Sequence, residues 1–230
     1  MAVQSHSVGQ GLTGMPARYI TPLLDGITAQ ARSTDGTRSI SADIVASLKS
    51  NHMIRMSASD ELSGLNSSLV KMANELSALA PCCTSTAWVI WNHLCLFHHF
   101  CALRGPAHSD FLESIVRDGE LVSQGVGPRT QVTGTRKEVR LIINGVTTFA
   151  TGCRYGDWSG VAFVEEGKKA LQFVLIELQH PKVRIDPTWE AMSIRASATD
   201  HGYFDELEVP AARVVPWPIN DRTVYRELTP

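Results

Sequence analysis

The sequence has no surplus of positive charge. Its 21 lysines and arginines stand against 23 acidic residues in 230, a formal net charge of −2. A protein whose main task is gripping phosphate backbones carries a basic excess, so nucleic acid is excluded as the expected partner. A long apolar run is also missing. The longest candidate, residues 86–100, is broken by Asn92, His93, His98 and His99. It falls short of the roughly 20 apolar residues that cross a bilayer, so no membrane partner is expected. The first residues, Met1-Ala-Val-Gln-Ser-His6, have neither the basic nor the apolar stretch of a secretory leader. Five cysteines is an odd number, and none forms a Cys-x-x-Cys pair. That argues for reduced thiols in a cytoplasmic protein rather than a disulfide framework. No Gly-x-Gly-x-x-Gly follows a strand, and there is no Walker loop or Gly-x-Ser-x-Gly elbow. The common nucleotide folds and serine-hydrolase chemistry are therefore unsupported.

What is present divides into two textures. The first half has helical periodicity. Ile20, Leu23, Leu24, Ile27 and Ala31 mark one stripe over Ala17–Arg32, which Asp35-Gly36 is expected to end. Ser41 is the expected N-cap of a second helix through Ile44, Val45 and Leu48. Ser63 is expected to open a third, with Leu65, Leu69, Met72, Leu76 and Leu79 inward, ending before Pro81. A fourth runs from Thr84 or Ser85 to about Leu103, and a fifth over Asp110–Arg117.

Beyond Gly119 the pattern becomes that of strands. Glu138–Ile143, Asn144-Gly145 and Val146–Ala150 read as a hairpin, because Asn-Gly tolerates positive φ at both turn positions. Val161–Val164 and Ala170–Leu178 flank Glu165-Glu166-Gly167 as a second hairpin. Lys182–Ile185 and Tyr203–Val209 follow, the latter stopped by Pro210. Helices followed by strands, unmixed, predict an α+β fold with an antiparallel sheet rather than a βαβ unit.

Several residue groups suggest chemistry. Cys95, His98 and His99 could share a helical face. They lack the paired spacing of a zinc site and equally suit a core helix, so no metal is expected. Cys82 and Cys83 precede a helix start, which lowers thiol pKa, but no base is indicated beside them. Phe149-Ala-Thr-Gly-Cys153 ends a strand with an aromatic, a hydroxyl and a glycine. It could offer a flat heterocycle a ring face and a hydrogen bond, or be an ordinary strand exit. The stretch from Trp189 to Val215 combines Arg195, Ser197, Thr199 and Asp200. It suits a loop lining a polar ligand, and equally a satisfied surface loop.

Three ordered stretches resemble the acyl-CoA dehydrogenase superfamily, including its flavin-dependent monooxygenase branch. They are Glu75-Leu-Ser-Ala-Leu-Ala-Pro81 with Ser85-Thr-Ala-Trp-Val89, Phe149-Ala-Thr-Gly-Cys153, and Trp189 onward through Arg195-Ala-Ser-Ala-Thr-Asp200, Phe204–Pro210 and Arg213-Val214. The resemblance implies an N-terminal helical domain over 15–120, a middle β-barrel flavin-binding domain over 121–217 and a short tail over 218–230. The family's C-terminal four-helix bundle has no counterpart here. The implied cofactor is FAD, with Phe149 packing on the flavin, Thr151 approaching its N5 side beside Gly152, and Ser123 contacting it from the first barrel strand. Trp189, Arg195 and Ser197 fall in the substrate or flavin loop. Gln124-Gly125-Val126-Gly127 departs from the family's Glu-Pro and Gly-Ser-Asp pattern. Because the bundle supplies the dehydrogenase base, no catalytic residue is assigned.

The expected function is an FAD-dependent oxidoreductase, either dehydrogenating an acyl thioester or monooxygenating a small molecule. The site would be completed in a homo- or hetero-oligomer with a bundle-containing chain. Phe149-Ala-Thr-Gly-Cys153 leans towards the monooxygenase branch. The alternative expectation is a non-catalytic fragment or interaction subunit that has kept the fold and lost flavin.

Overall fold

The computed structural model describes residues 17–103, 108–126 and 131–216. The expected tail over 218–230, and Gly127 of the atypical loop, lie outside the described residues. Among the described residues five α-helices come first: α1 (Leu24–Thr37), α2 (Ala42–Lys49), α3 (Leu69–Leu79), α4 (Thr84–Leu103) and α5 (Ser109–Asp118). Eight strands follow: β1 (Val122–Gly125), β2 (Gln131–Lys137), β3 (Arg140–Thr151), β4 (Trp158–Glu165), β5 (Leu171–Glu177), β6 (Val183–Asp186), β7 (Asp200–Pro210) and β8 (Val214–Pro216). The α+β class expected from the sequence is the observed one.

Three helix boundaries differ from expectation, the first being the start of α1, which follows a 3-10 turn over Thr21–Leu23 and begins at Leu24 rather than Ala17. α1 runs through Asp35 and Gly36, because a solvent-facing glycine weakens a helix without ending it; Arg38, left-handed at φ 55°, ends it. α3 opens not at Ser63 but at the Ser68 cap, whose hydroxyl accepts from Lys71 N at 3.4 Å, so Leu65 lies outside the helix. The intervening chain pairs backwards instead. Leu65 N reaches Arg55 O at 3.0 Å, Asn66 N reaches Ala58 O at 2.8 Å, and Ser67 N reaches Met56 O at 2.9 Å. Ser41 caps α2 as expected, accepting from Ile44 N.

The strands form one sheet in the order β6-β7-β3-β1-β4-β5-β8, with β2 also lying between β3 and β4. β1 and β2 thus occupy successive stretches of the same lane. The sheet is not the closed antiparallel barrel expected. β6 and β8 lie at its two ends, and β4 runs parallel to both β1 and β2. The parallel pairing follows from the path of the chain. β3 returns antiparallel to β1, and β4 then reverses again on β1's far flank.

The Asn-Gly hairpin is also corrected. β3 passes straight through Asn144-Gly145, and the turn lies at Glu138, with φ 53°. Asn144-Gly145 is instead a bulge against β7, with Gly145 at φ 122° and Asn144 Oδ1 accepting Glu206 N at 2.7 Å. The same positive-φ tolerance that suits a turn suits a bulge. The hairpin at Gly167 is as expected.

Apolar packing joins helices to sheet. Phe97 and Phe100 of α4 and Leu112 and Ile115 of α5 pack on Trp158, Phe173 and Leu175. Each fully buried large side chain contributes about 1.5–3 kcal/mol. Close approach depends on Gly160, where a Cβ would strike Leu96 and Phe100. Leu141, Ile143, Val161, Phe163, Val174 and Ile176 form a separate buried cluster on the sheet.

Candidate functional site

The site forms where β3 leaves the sheet beneath α4. Gln124 of β1 stands opposite Thr151 and Gly125 opposite Ala150, which aligns the two strand ends. Between Thr147 and Ala150 the β3–β7 ladder slips. In that slip Phe149 takes φ 57°, a conformation rare for a bulky side chain, and the residue is 41% exposed. Strain of this kind persists only where the surroundings enforce it, and it gathers at functional sites.

Two rings flank Phe149 edge-on. Trp189 lies 6.3 Å away at 87°, and His201 lies 6.2 Å away at 80°. Behind them runs a line of buried hydroxyls. Thr151 Oγ1 is 3.2 Å from Thr199 Oγ1, which is 2.7 Å from Ser197 Oγ. Gly152 N donates to the carbonyl oxygens of Ser197 and Ala198 at 2.9 and 3.1 Å. At φ 82°, with Val89 of α4 only 3.3 Å from where a Cβ would sit, position 152 needs glycine. Thr151, Gly152 and Ser197 are therefore brought together.

Ser123 lies next to them. A Cβ on Gly152 would be 3.9 Å from that of Ser123. Its hydroxyl is buried and has no hydrogen-bond partner among the described residues. A buried hydroxyl left unpaired costs about 1–3 kcal/mol, which makes Ser123 Oγ a candidate hydrogen-bond partner for a bound group or a water. Arg195 stands further out, its Nη1 3.5 Å from Asp35 Oδ2. Ala196 beside it is fixed by Ser85 Oγ, which accepts its N–H at 3.2 Å, and by Tyr155, whose hydroxyl donates to its carbonyl at 2.8 Å.

The sequence did not single out His201 or the pairing of Asp200 with Arg154 (Oδ2 to Nε, 2.8 Å). Alternation at the start of β7 was the available signal, since Asp200 is buried and His201, next along the strand, falls on the other face. The Asp–Arg pair joins two distant segments and leaves no local trace.

Of the cysteines and histidines of α4, His93 and Cys101 are core, while Cys95, His98 and His99 are half-buried. His93 is buried between Ile54 O and Val122 N, and burial pushes its pKa down to about 4. Burial raises the thiol of Cys95 to about 11. Cys153, beside Gly152, is raised to about 12 by burial and then by Asp200, which keeps it a protonated, unreactive thiol. Cys82 is buried in the helical core. Among the described residues, no group of three or more His, Cys, Asp or Glu is arranged to hold a metal ion. No helix among them is long and apolar enough to cross a membrane.

In fold, helices followed by a mixed sheet, the chain matches the acyl-CoA dehydrogenase-like structures of flavin-dependent monooxygenases. The chain is 23% identical over 203 residues to the flavin-dependent monooxygenase oxygenase subunit HsaA of Rhodococcus jostii, covering 84% of this chain and 50% of that protein. It is 25% identical over 217 residues to the oxygenase component of p-hydroxyphenylacetate 3-hydroxylase of Acinetobacter baumannii, covering 92% and 50%. Among solved structures, the indole-bound TdsC from Paenibacillus sp. A11-2 superposes with a TM-score of 0.79 at 16% identity, over 86% of this chain and 52% of that one. The 3-HSA hydroxylase from Rhodococcus sp. RHA1 gives 0.76 at 20% identity, over 91% and 53%. No protein-family model matches. The chain spans about half the length of the curated relatives it matches.

Proposed function

We propose that this chain is the flavin-holding part of the oxygenase component of a flavin-dependent monooxygenase. It would take reduced flavin from a separate reductase and oxygenate a small aromatic molecule. The observation that carries the reading is Phe149, held at φ 57° with its ring open beside the buried hydroxyls of Thr151, Thr199 and Ser197. The unpaired hydroxyl of Ser123 would serve the same flat ligand from its other edge.

In this reading Phe149 packs against the ring system, Thr151 meets its N5 edge, and Ser123 supplies a hydrogen bond from β1. Trp189 and Arg195 border the substrate side. When bound, reduced flavin supplies the two electrons that let one oxygen atom enter the substrate while the other leaves as water. The chain's own residues hold the ring flat, orient its N5 edge and keep water away through the apolar underside of α4, where Val89 meets Gly152. None of them is assigned a proton transfer.

Of the two activities expected from the sequence, the oxygenase names of the relatives favour monooxygenation over acyl-thioester dehydrogenation. FAD, the form the sequence resemblance implies, is one of two candidates, since structural neighbours carry FMN or FADH2. The relatives' unmatched half favours a further segment or partner chain that closes the site.

Anaerobic titration of the purified chain with reduced FMN and reduced FAD tests the reading, followed by admission of oxygen with a phenolic substrate. Saturable binding of either reduced flavin is the expected result. Failure to bind either form, with the chain folded, would return the protein to the class of non-catalytic interaction subunits.

A further inference from the structure

We propose that Asp200, with Arg154 and Arg38, is a clamp that positions Trp189 beside Phe149. The Asp200 carboxylate is fully buried, and a charge removed from water survives only where it is paired and hydrogen-bonded. Its Oδ1 accepts the Trp189 N–H at 2.8 Å, and its Oδ2 faces Arg154 Nε at 2.8 Å. The contacts close into a ring through the end of α1. Arg154 Nη2 donates to Arg38 O at 3.4 Å, and Arg38 Nη1 donates to Trp189 O at 3.5 Å.

Both backbone polar groups of Trp189 are held by this ring, and its indole Nε1 donates to Ile194 O at 3.0 Å. With main chain and ring both tied, the indole keeps one orientation, edge-on to Phe149. Asp200 also sits between Thr199 of the hydroxyl line and His201 of the aromatic corner, so its anchorage fixes both neighbours. Asp200 touches no part of the proposed ligand surface. It is a positioning residue acting through Trp189, and its value to flavin binding rests on the proposed function.

Fluorine NMR of the full chain labelled with 5-fluorotryptophan tests the clamp directly. The chain has five tryptophans, and Trp189→Phe assigns the resonance of interest. Asp200→Asn keeps an acceptor for the Trp189 N–H but removes the charge facing Arg154. Arg38→Ala opens the ring at its half-buried rim without leaving a buried carboxylate unpaired, so it serves if the Asp200 variant does not fold. Both should shift and broaden the Trp189 resonance while those of Trp88 and Trp91 stay in place. A Trp189 resonance unmoved in a folded variant overturns the clamp.

Affinity for reduced flavin is the second readout. Asp200→Asn should weaken it about tenfold, the size of one lost aromatic contact. Adding Trp189→Leu should bring little further loss, because both changes act through one ring. Simple additivity of the two losses overturns the proposal. A wild-type chain that binds no flavin overturns the proposed function instead, and the Trp189 resonance still decides the clamp.

Discussion

His93 Nδ1 accepts the backbone N–H of Val122 at 2.9 Å, which ties α4 to the first strand beside the candidate site. Its Nε2 therefore carries the proton and donates to Ile54 O at 2.8 Å. A second proton would displace the Val122 bond and place a charge in an apolar core. Burial accordingly holds the folded-state pKa near 4, below the usual 6.5. The unfolded chain takes up that proton at higher pH than the folded one does. Stability from this group is therefore complete above pH 6.5 and falls between pH 6.5 and 4, by about 3 kcal/mol in all. Urea unfolding at intervals from pH 7.5 to 4 should show the fall in the wild type. His93→Gln can keep both bonds and should lose most of that slope. An equal slope in the two proteins would place the pH dependence elsewhere, with His99, whose pKa burial also lowers, the next group to test.

A second prediction concerns Glu75, the acidic residue of the motif before α4. Its carboxylate points away from the site and into the N-terminal turn. It accepts the N–H groups of Arg18 at 2.6 Å, Tyr19 at 3.1 Å and Ile20 at 2.8 Å. Glu75→Ala leaves three donors without their acceptor and should cost about 3 kcal/mol. Glu75→Gln, which retains an accepting oxygen, should cost roughly half as much. Denaturant midpoints measure both, and hydrogen exchange at the Ile20 amide should accelerate in step.

How far the sequence revealed this molecule depends on the range of the interaction involved. The extent of α4 and the Ser41 cap are local, and both were legible in the sequence. The course of β3 was not, because Asn144-Gly145 satisfies a turn and a bulge equally well. The choice is made by Gln131, which lies against Gly145 from across the sheet, and by Glu206, which donates to Asn144. At the site, Phe149, Thr151 and Gly152 are consecutive enough to be noticed together. His201 was hidden because only the fold sets it against Phe149, more than 50 residues earlier in the chain. The Arg154–Asp200 pair is hidden for the same reason.

The bulge itself gives a third prediction. A Cβ at position 145 would collide with the Gln131 carbonyl, and φ 122° is strained for any residue that has one. Gly145→Ala should therefore destabilise the chain by about 3 kcal/mol or more, the range of strained backbone combined with overpacking. Asn144→Ala removes only the acceptor for Glu206 N at an exposed position and should cost about 1 kcal/mol. Thermal melts of the two variants separate the cases. Equal losses would mean that Gly145 tolerates a side chain after all.

Phe149 gives the sharpest separation between a structural and a ligand-holding role. If its ring were there for stability, removing it should unfold the site, as for any aromatic in a core, at about 3–5 kcal/mol. The geometry argues otherwise, because the residue is 41% exposed and its backbone is strained at φ 57°. Phe149→Gly removes the edge contacts with Trp189 and His201, each worth about 0.5–1.5 kcal/mol. It also relieves about 1–2 kcal/mol of left-handed strain. The two effects offset each other, so the net change in stability should stay within about 1 kcal/mol. Affinity for reduced flavin should nevertheless fall about tenfold or more, since the lost ring face is one the folded chain leaves open. Phe149→Tyr, which keeps the face, should bind as the wild type does. Parallel denaturation and anaerobic flavin titration of the three proteins decide the matter. A large loss of stability with flavin affinity unchanged would make Phe149 part of the scaffold and remove the central support for a flavin site at this strand exit.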